Sequence, residues 1–270
     1  MKGFFARDYA PLASVAPGES VELHTYGAFW GWDADVEPDR PEGAGHALYG
    51  PIEVRGARAG QSLAVRVDEL VPRGWGRTWA LRDQFDWSLD GDRWRLGDWS
   101  VPSAPFLGVI GMPPPEPGEH STIPPRRWGG NIDCKELVAG TTLYLPIPVD
   151  GALLMVGDGH GAQGDGEVSG TAIEAPFDRV RLTLDVSDFD LRSPIARIDG
   201  AWLAFGFDED LDAAAEQAMA TMLDLMEREL GVSRAECLAL ASVGVDLRVT
   251  QIVNQVKGVH AVLRDTAFSG

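Results

Sequence analysis

The stretch SLAVRVDEL, Ser62 to Leu70, sets Leu63, Val65 and Val67 alternately with Ala64, Arg66 and Asp68. Successive side chains of an extended chain point to opposite faces, so this period of two predicts a strand with one buried face and one wet face. Short aliphatic runs of the same kind recur on both sides of it: SVELHTYG, YGPIEVRG, TTLYLPIPV, ALLMVGD, VSGTAIEA, RVRLTLDV, AWLAFGF, VDLRVTQIV and HAVLRD. Gly and Pro separate them roughly every ten positions, which predicts a mainly β (α+β) fold with a sandwich- or barrel-like core rather than a βαβ chain.

Helical spacing interrupts the pattern near the C-terminus. From Asp208, the residues Leu211, Ala214, Ala215, Ala218, Met219, Met222, Leu225, Met226 and Leu230 recur on one helical face, and Gly231 follows as a stop. Ser233 and Glu236 then form a capping box that opens a second helix running to Gly244. The Met and Leu stripe is read as core packing, which makes the helical pair a scaffold.

The 270 residues, 44% of them hydrophobic, suffice for a core without staples. They are read as one domain, 1–270, with a Trp-rich elaboration at about 71–103 that holds Trp75, Trp79, Trp87, Trp94 and Trp99. That segment is expected to be a loop or hairpin, either rimming a pocket or meeting a subunit, or else packing at the surface. The net charge of −18, with no basic run, argues against a nucleic-acid partner. Only Cys134 and Cys237 occur, far apart, and no long apolar run opens the chain. Neither a disulfide framework nor a membrane span is expected, and the cytoplasm is the expected location.

Chemistry concentrates in two glycine-rich segments. In EPGEHSTIPPRRWGGNIDCKEL, Glu116 to Leu137, the Gly129-Gly130 pair precedes Asn131, Asp133 and Lys135, which would face one way if the chain were extended. In VGDGHGAQGDGEVSGTAIE, Val156 to Glu174, Asp158 and His160 at the end of a buried strand would point to one side. A carboxylate and an imidazole so placed can share a divalent cation, zinc suiting the imidazole, or can simply hydrogen-bond each other. His260 is read as satisfying a core or turn hydrogen bond, and His24 as a surface residue. No GxSxG elbow occurs, and Cys134 has no histidine near it in sequence to activate it.

The run from Gly108 to Pro176, GVIGMPPPEPGEHSTIPPRRWGGNIDCKELVAGTTLYLPIPVDGALLMVGDGHGAQGDGEVSGTAIEAP, resembles the signature region of the acetamidase/formamidase family. VDLRVTQIVNQVKGVHAVL is similar to that family's C-terminal segment, and GPIEVRGARAGQSLAVRV to its N-terminal pattern. The resemblance is weakest at 71–103 and at 30–45. It implies a β-rich cytoplasmic hydrolase that cleaves short carboxylic amides to acid and ammonia, as a homo-oligomer and with a divalent metal. The family's polar signature maps to His46, Glu119, His120, Asn131, Asp133, Asp158, His160, Gln163, Asp165, Glu167 and Glu174. In the family's His-Pro-x-Thr-Gly-Pro pattern the histidine is kept as His46, while Ala47 and Tyr49 replace the Pro and the Thr.

On this basis Asp133, Asp158 and His160, with His46 and Glu174, are the expected ligands of a divalent metal, zinc ahead of calcium or another ion. Glu167 or Glu119 is the expected general base. His120 and Lys135 complete the catalytic group, Lys135 and Arg126 being candidates for steadying an oxyanion or a carboxylate, or for structural ion pairs. Gly130, Asn131, Gln163 and Gly164 are the expected substrate contacts. A hydrolase of another amide, cyclic amide or carbamate, a non-enzymatic small-molecule binder and a metal-stabilised structural β protein are the alternatives.

Overall fold

A computed structural model describes residues 1–36 and 39–268. The strands run in chain order as β1 (Ala13–Val15), β2 (Glu19–Thr25), β3 (Leu48–Val54), β4 (Ser62–Pro72), β5 (Trp75–Ala80), β6 (Asp83–Asp90), β7 (Arg93–Leu96) and β8 (Trp99–Pro102). There follow β9 (Phe106–Gly111), β10 (Gly129–Asn131), β11 (Thr142–Pro146), β12 (Leu154–His160), β13 (Phe177–Ser187), β14 (Ile195–Ile198) and β15 (Ala201–Asp208). Helices α1 (Leu211–Leu230) and α2 (Arg234–Gly244) precede β16 (Val245–Gln251) and β17 (Lys257–Arg264).

An eight-stranded antiparallel sheet takes the order β16-β17-β15-β14-β11-β4-β13-β2. β4 buries Leu63, Val65 and Val67 as the period of two predicts. Its buried parity then switches to Leu70, because a bulge lets Arg181 and Leu182 of β13 pair with Glu69 and Val67 and leaves Asp68 extra. A five-stranded sheet, β1-β3-β12-β9-β10, packs on it. Ile52, Val54, Ile110, Leu154 and Val156 from the small sheet share one apolar core with Val65, Leu143, Leu182 and Phe205 from the large one.

The helices cover the outer side of the large sheet at its C-terminal end, where Ala214, Ala218, Met222 and Cys237 pack on Ala204, Val259 and Ala261. Asp210 caps α1 by accepting from the amides of Asp212 and Ala213, Gly231 ends it in the left-handed region, and Ser233 with Glu236 closes the capping box of α2. The scaffold reading of this pair therefore holds.

Two local expectations are corrected. The Trp-rich segment is a four-stranded antiparallel meander, β5 to β8, and not a plain loop or single hairpin. It is anchored by Trp94, which is fully buried and donates its indole N–H to the Gly161 carbonyl at 3.0 Å. Residues 168–175, VSGTAIEA, form no strand; Glu174 alone makes two isolated bridges, to Arg77 and to His160. The turn through Gly170 leaves that run crossing between the meander and β12, where each side offers it only isolated partners.

Candidate active site

β12, β9 and β10 lie side by side, and the site forms where their ends meet. Asp158 and His160 project from β12 to the same side, as their spacing predicts, with His160 Nε2 3.2 Å from Asp158 Oδ1 and 3.3 Å from Glu174 Oε2. Asp133 arrives from the loop after β10, its Oδ1 3.8 Å from His160 Nδ1. Glu167 closes the group, within 4.8 Å of His160 and Glu174. All five are buried. His46 stands at the edge, its Nε2 4.0 Å from Asp158 Oδ2 and its Nδ1 2.9 Å from Thr122 Oγ1.

The backbone is bent to deliver these groups. Asp133, Asp158 and Glu167 hold φ of 53°, 59° and 46°, left-handed values that Asp tolerates better than most residues. The extended reading of Asn131, Asp133 and Lys135 is thereby corrected: β10 ends at Asn131, the turn at Asp133 reverses the alternation, and Lys135 points instead to Asp165 at 2.9 Å.

Three supporting residues were not singled out by sequence. Gly108 of β9 lies under the cluster, where an added Cβ would sit 2.5 Å from both Asp133 Oδ1 and Asp158 Oδ2. Asn254 donates its side-chain amide to Asp133 Oδ2, and Thr122 holds His46 through both its backbone N–H and its ring. The polar pair Gln251 and Asn254 interrupting an apolar C-terminal strand region was the available signal for the second. A glycine within the apolar run FLGVIG gives no signal for the first.

Burial dominates the electrostatics. It raises Asp133 and Glu174 to about 7 despite the lowering influence of His160, and raises Glu167 to about 10, with Asp133 adding repulsion. Burial also opposes ionisation of Asp158, but His160 and His46 outweigh it and hold that carboxyl well below the usual range. For His160, burial is outweighed by Glu174 and Asp158, which raise it. His46 is lowered by burial.

Four carboxyl groups thus converge on one well-buried imidazole, a set whose charges are underpaired unless a cation joins them. Asp133 Oδ1 and Glu174 Oε2 have no hydrogen-bond partner among the described residues. His160 Nδ1 lies 3.1 Å from Gln163 Oε1, so an N–H there leaves Nε2 facing Asp158 and Glu174. Orphaned oxygens, a pre-oriented imidazole and a floor with no side chain fit a divalent cation.

Other expected site residues fall outside this group. Glu119 is exposed and accepts from the Tyr9 hydroxyl, because the loop carrying it packs on the N-terminal segment, with Phe5 and His120 exchanging backbone hydrogen bonds. His120 Nε2 meets the Glu116 carbonyl at 3.1 Å. Neither joins the cluster. Gln163 spans His160 and the Asp133 carbonyl, and it also lines the cleft over Glu167. Arg126 donates to the Ser121 and Pro124 carbonyls and pins its own loop. Asn131 is buried beside the cluster with Oδ1 unpartnered among the described residues, and Gly130 precedes it at φ 113°.

A cleft of about 560 Å³ opens over Glu167, lined by Trp87 and Val101 of the meander together with Ala162, Gln163, Gly164 and Ile173. A smaller cavity of about 230 Å³ reaches Glu174 from the side of Trp75, Arg77 and Trp79. The Trp-rich segment therefore walls both cavities.

The sequence profile of the Acetamidase/Formamidase family matches residues 117–195. An acetamidase of Mycolicibacterium smegmatis is 48% identical over 48 residues, a stretch that is 18% of this chain and 12% of that protein, so the match spans about an eighth of the curated relative. The crystal structure of an acetamidase from Bacillus halodurans superposes with a TM-score of 0.88 at 30% identity, covering 97% of this chain and 94% of that one. A predicted acetamidase/formamidase from Thermoanaerobacter tengcongensis superposes with a TM-score of 0.89 at 25% identity, covering 97% and 92%.

Proposed function

Because the chain belongs to the acetamidase/formamidase family, we propose that it hydrolyses the C–N bond of a short linear carboxylic amide to carboxylate and ammonia. The buried convergence of Asp133, Asp158, His160, Glu167 and Glu174 carries this reading. Asp133, Asp158, His160 and Glu174 would hold a divalent cation, zinc first because of the imidazole, with His46 near enough to assist. Such a cation, when bound, lowers the pKa of water and polarises a carbonyl oxygen.

The chain's own groups perform the remaining work. Glu167 lies at the mouth of the cleft, where its carboxylate takes a proton from the attacking water and returns it to the leaving nitrogen. With a pKa near 10 in the cation-free protein it is protonated at neutral pH, so the role of base requires positive charge beside it. Gln163 fixes the imidazole of His160, and Asn254 fixes Asp133. Asn131 Oδ1, buried and free, is suited to accept an amide N–H, and the Gly164 backbone lines the approach. Lys135, held by Asp165 near the same cleft, serves as an ion pair.

The apolar lining of Trp87, Val101 and Ile173 favours one variant of this reading, an amide, cyclic amide or carbamate bulkier than acetamide. A homo-oligomer is proposed from the exposed apolar residues Val243, Leu247 and Ile252 around α2 and the edge strand β16. Both cysteines are buried and unpaired, which suits a cytoplasmic setting, and no described helix is long and apolar enough to cross a membrane.

Ammonia release from a panel of linear and cyclic amides, before and after chelation, tests the activity. Glu167→Gln is expected to lower turnover by ~10²–10⁴-fold while retaining bound metal, whereas His160→Ala loses both. Full turnover by chelated, metal-free protein would remove the cation from the reaction, and no ammonia from any amide would remove the activity.

A further inference from the structure

We propose that Cys134, Glu136 and His260 form a second cation site, separate from the carboxylate cluster and suited to zinc or another thiolate-binding divalent ion. Sequence gave Cys134 no histidine neighbour, but the fold supplies one from β17. The three ligand atoms lie within 4.8 Å of one another, with Cys134 Sγ 3.3 Å from Glu136 Oε2 and His260 Nε2 3.8 Å from the same oxygen. Zinc–sulfur bonds of about 2.3 Å and zinc–nitrogen or –oxygen bonds of about 2.0–2.2 Å put neighbouring tetrahedral ligands roughly 3.3–3.7 Å apart. The contact from Cys134 sits at the short end of that range, and the one from His260, at 3.8 Å, lies just beyond its long end.

Each ligand is already oriented. His260 is fully buried, its Nδ1 is 2.8 Å from Thr250 Oγ1, and its Nε2 has no hydrogen-bond partner among the described residues. A buried polar atom left alone is uncommon in a folded chain. With Nδ1–H donated to Thr250, the Nε2 lone pair faces the thiol and the carboxylate, the arrangement typical of a metal-bound imidazole. Arg248 takes Glu136 Oε1 at 3.0 Å and leaves Oε2 free, while the nearby Lys135 is engaged by Asp165. In the cation-free protein the Cys134 thiol donates to Glu136 Oε2; cation binding replaces that proton, which leaves to solvent.

The left-handed turn at Asp133 sends Asp133 into the carboxylate cluster and Cys134 the other way. A cation at the second site would therefore tie the loop that delivers Asp133 to β17. Three protein ligands leave a fourth position for water.

Cobalt(II) titration of the chelated full-length protein tests this independently of turnover. The expected result is a thiolate-to-cobalt charge-transfer band in the near ultraviolet, lost in Cys134→Ser and retained in Cys237→Ser and Asp158→Asn. Zinc content is expected to fall by one equivalent per chain in Cys134→Ser, and zinc is expected to raise Tm in Asp158→Asn protein. Absence of the band in the unmodified protein, which needs no variant to fold, overturns the proposal; so does its loss with Cys237→Ser instead of Cys134→Ser.

Discussion

Gly108→Ala isolates the geometry of the carboxylate cluster from its chemistry, since it removes no functional group. Gly108 is not among the residues with positive φ, so alanine meets no backbone strain there. The new methyl would lie 2.5 Å from Asp133 Oδ1, 2.5 Å from Asp158 Oδ2 and 2.8 Å from His160 Cε1. Ordinary contact begins at about 3.4 Å, so each carboxylate must retreat by about 0.9 Å, from 2.5 to 3.4 Å. Neither can do so freely, because Asn254 holds Asp133 and His160 holds Asp158. Displacements near 1 Å in a catalytic constellation cost on the order of 100-fold in rate, and metal affinity should fall with them. Overpacking costs about 1–3 kcal/mol, and in large domains each kcal/mol lowers Tm by roughly 2–4 °C. Ammonia release, metal content and thermal denaturation on the same preparation give the result. A folded Gly108→Ala protein with wild-type turnover and full metal content would refute the view that these carboxylates share one cation above Gly108.

Asn254→Leu removes the amide donor to Asp133 Oδ2 and should weaken metal binding ~10–100-fold, read by competition with a chelating dye. Trp94→Ala empties a fully buried site and breaks the bond to Gly161, so stability should drop by about 3–5 kcal/mol in urea denaturation, with the cleft wall loosened. The metal-free protein should lose stability as pH rises: Asp133 and Glu174 titrate near 7 when folded but near 4 when unfolded, so the folded state holds more protons between those values. Tm of chelated protein should therefore fall from pH 5 to pH 8, and a divalent ion should flatten the slope; a Tm that rises over that range would reverse the assigned shifts.

How far the sequence disclosed the molecule depended on whether the relevant pattern was local. The alternation of β4, the stripe of α1 and the capping box of α2 are repeated every two to four residues, and each matches the structure. Asp158 and His160 were legible for the same reason, being two apart on one strand. That Glu119 and His120 lie apart from the cluster was not legible, because their glycine- and proline-rich setting resembles that of Asp133 and it is packing on Phe5 and Tyr9 that carries them away from it. Gly108 and Asn254 act on residues 25 to 121 positions away through strand pairing and a loop approach, and neither leaves a periodic mark. His260 meets Cys134 by the same kind of long-range pairing, which sequence distance hid.

The strained backbone ties these observations together. Three of the five clustered groups occupy left-handed conformations, each costing on the order of 1–3 kcal/mol, and four carboxyl groups are buried together at further cost. Such costs are large against a typical net stability of about 5–15 kcal/mol, so the surroundings must enforce them. They do so locally: Asp158 stands between Gly157 and Gly159, where a Cβ would lie 2.2 Å from the Ala47 carbonyl and 2.3 Å from that of Ala175. Asp133 is held at its backbone carbonyl by Gln163 and at its carboxylate by Asn254. Glu167 is turned between Gly164 and Gly170 by backbone hydrogen bonds on both sides. A purely structural acid pair would relax out of such an arrangement, because one substitution to a neutral side chain would relieve both strain and repulsion. Retaining all of these features is intelligible when the acids' joint task is to bind a cation and move a proton, tasks that a neutral replacement cannot perform.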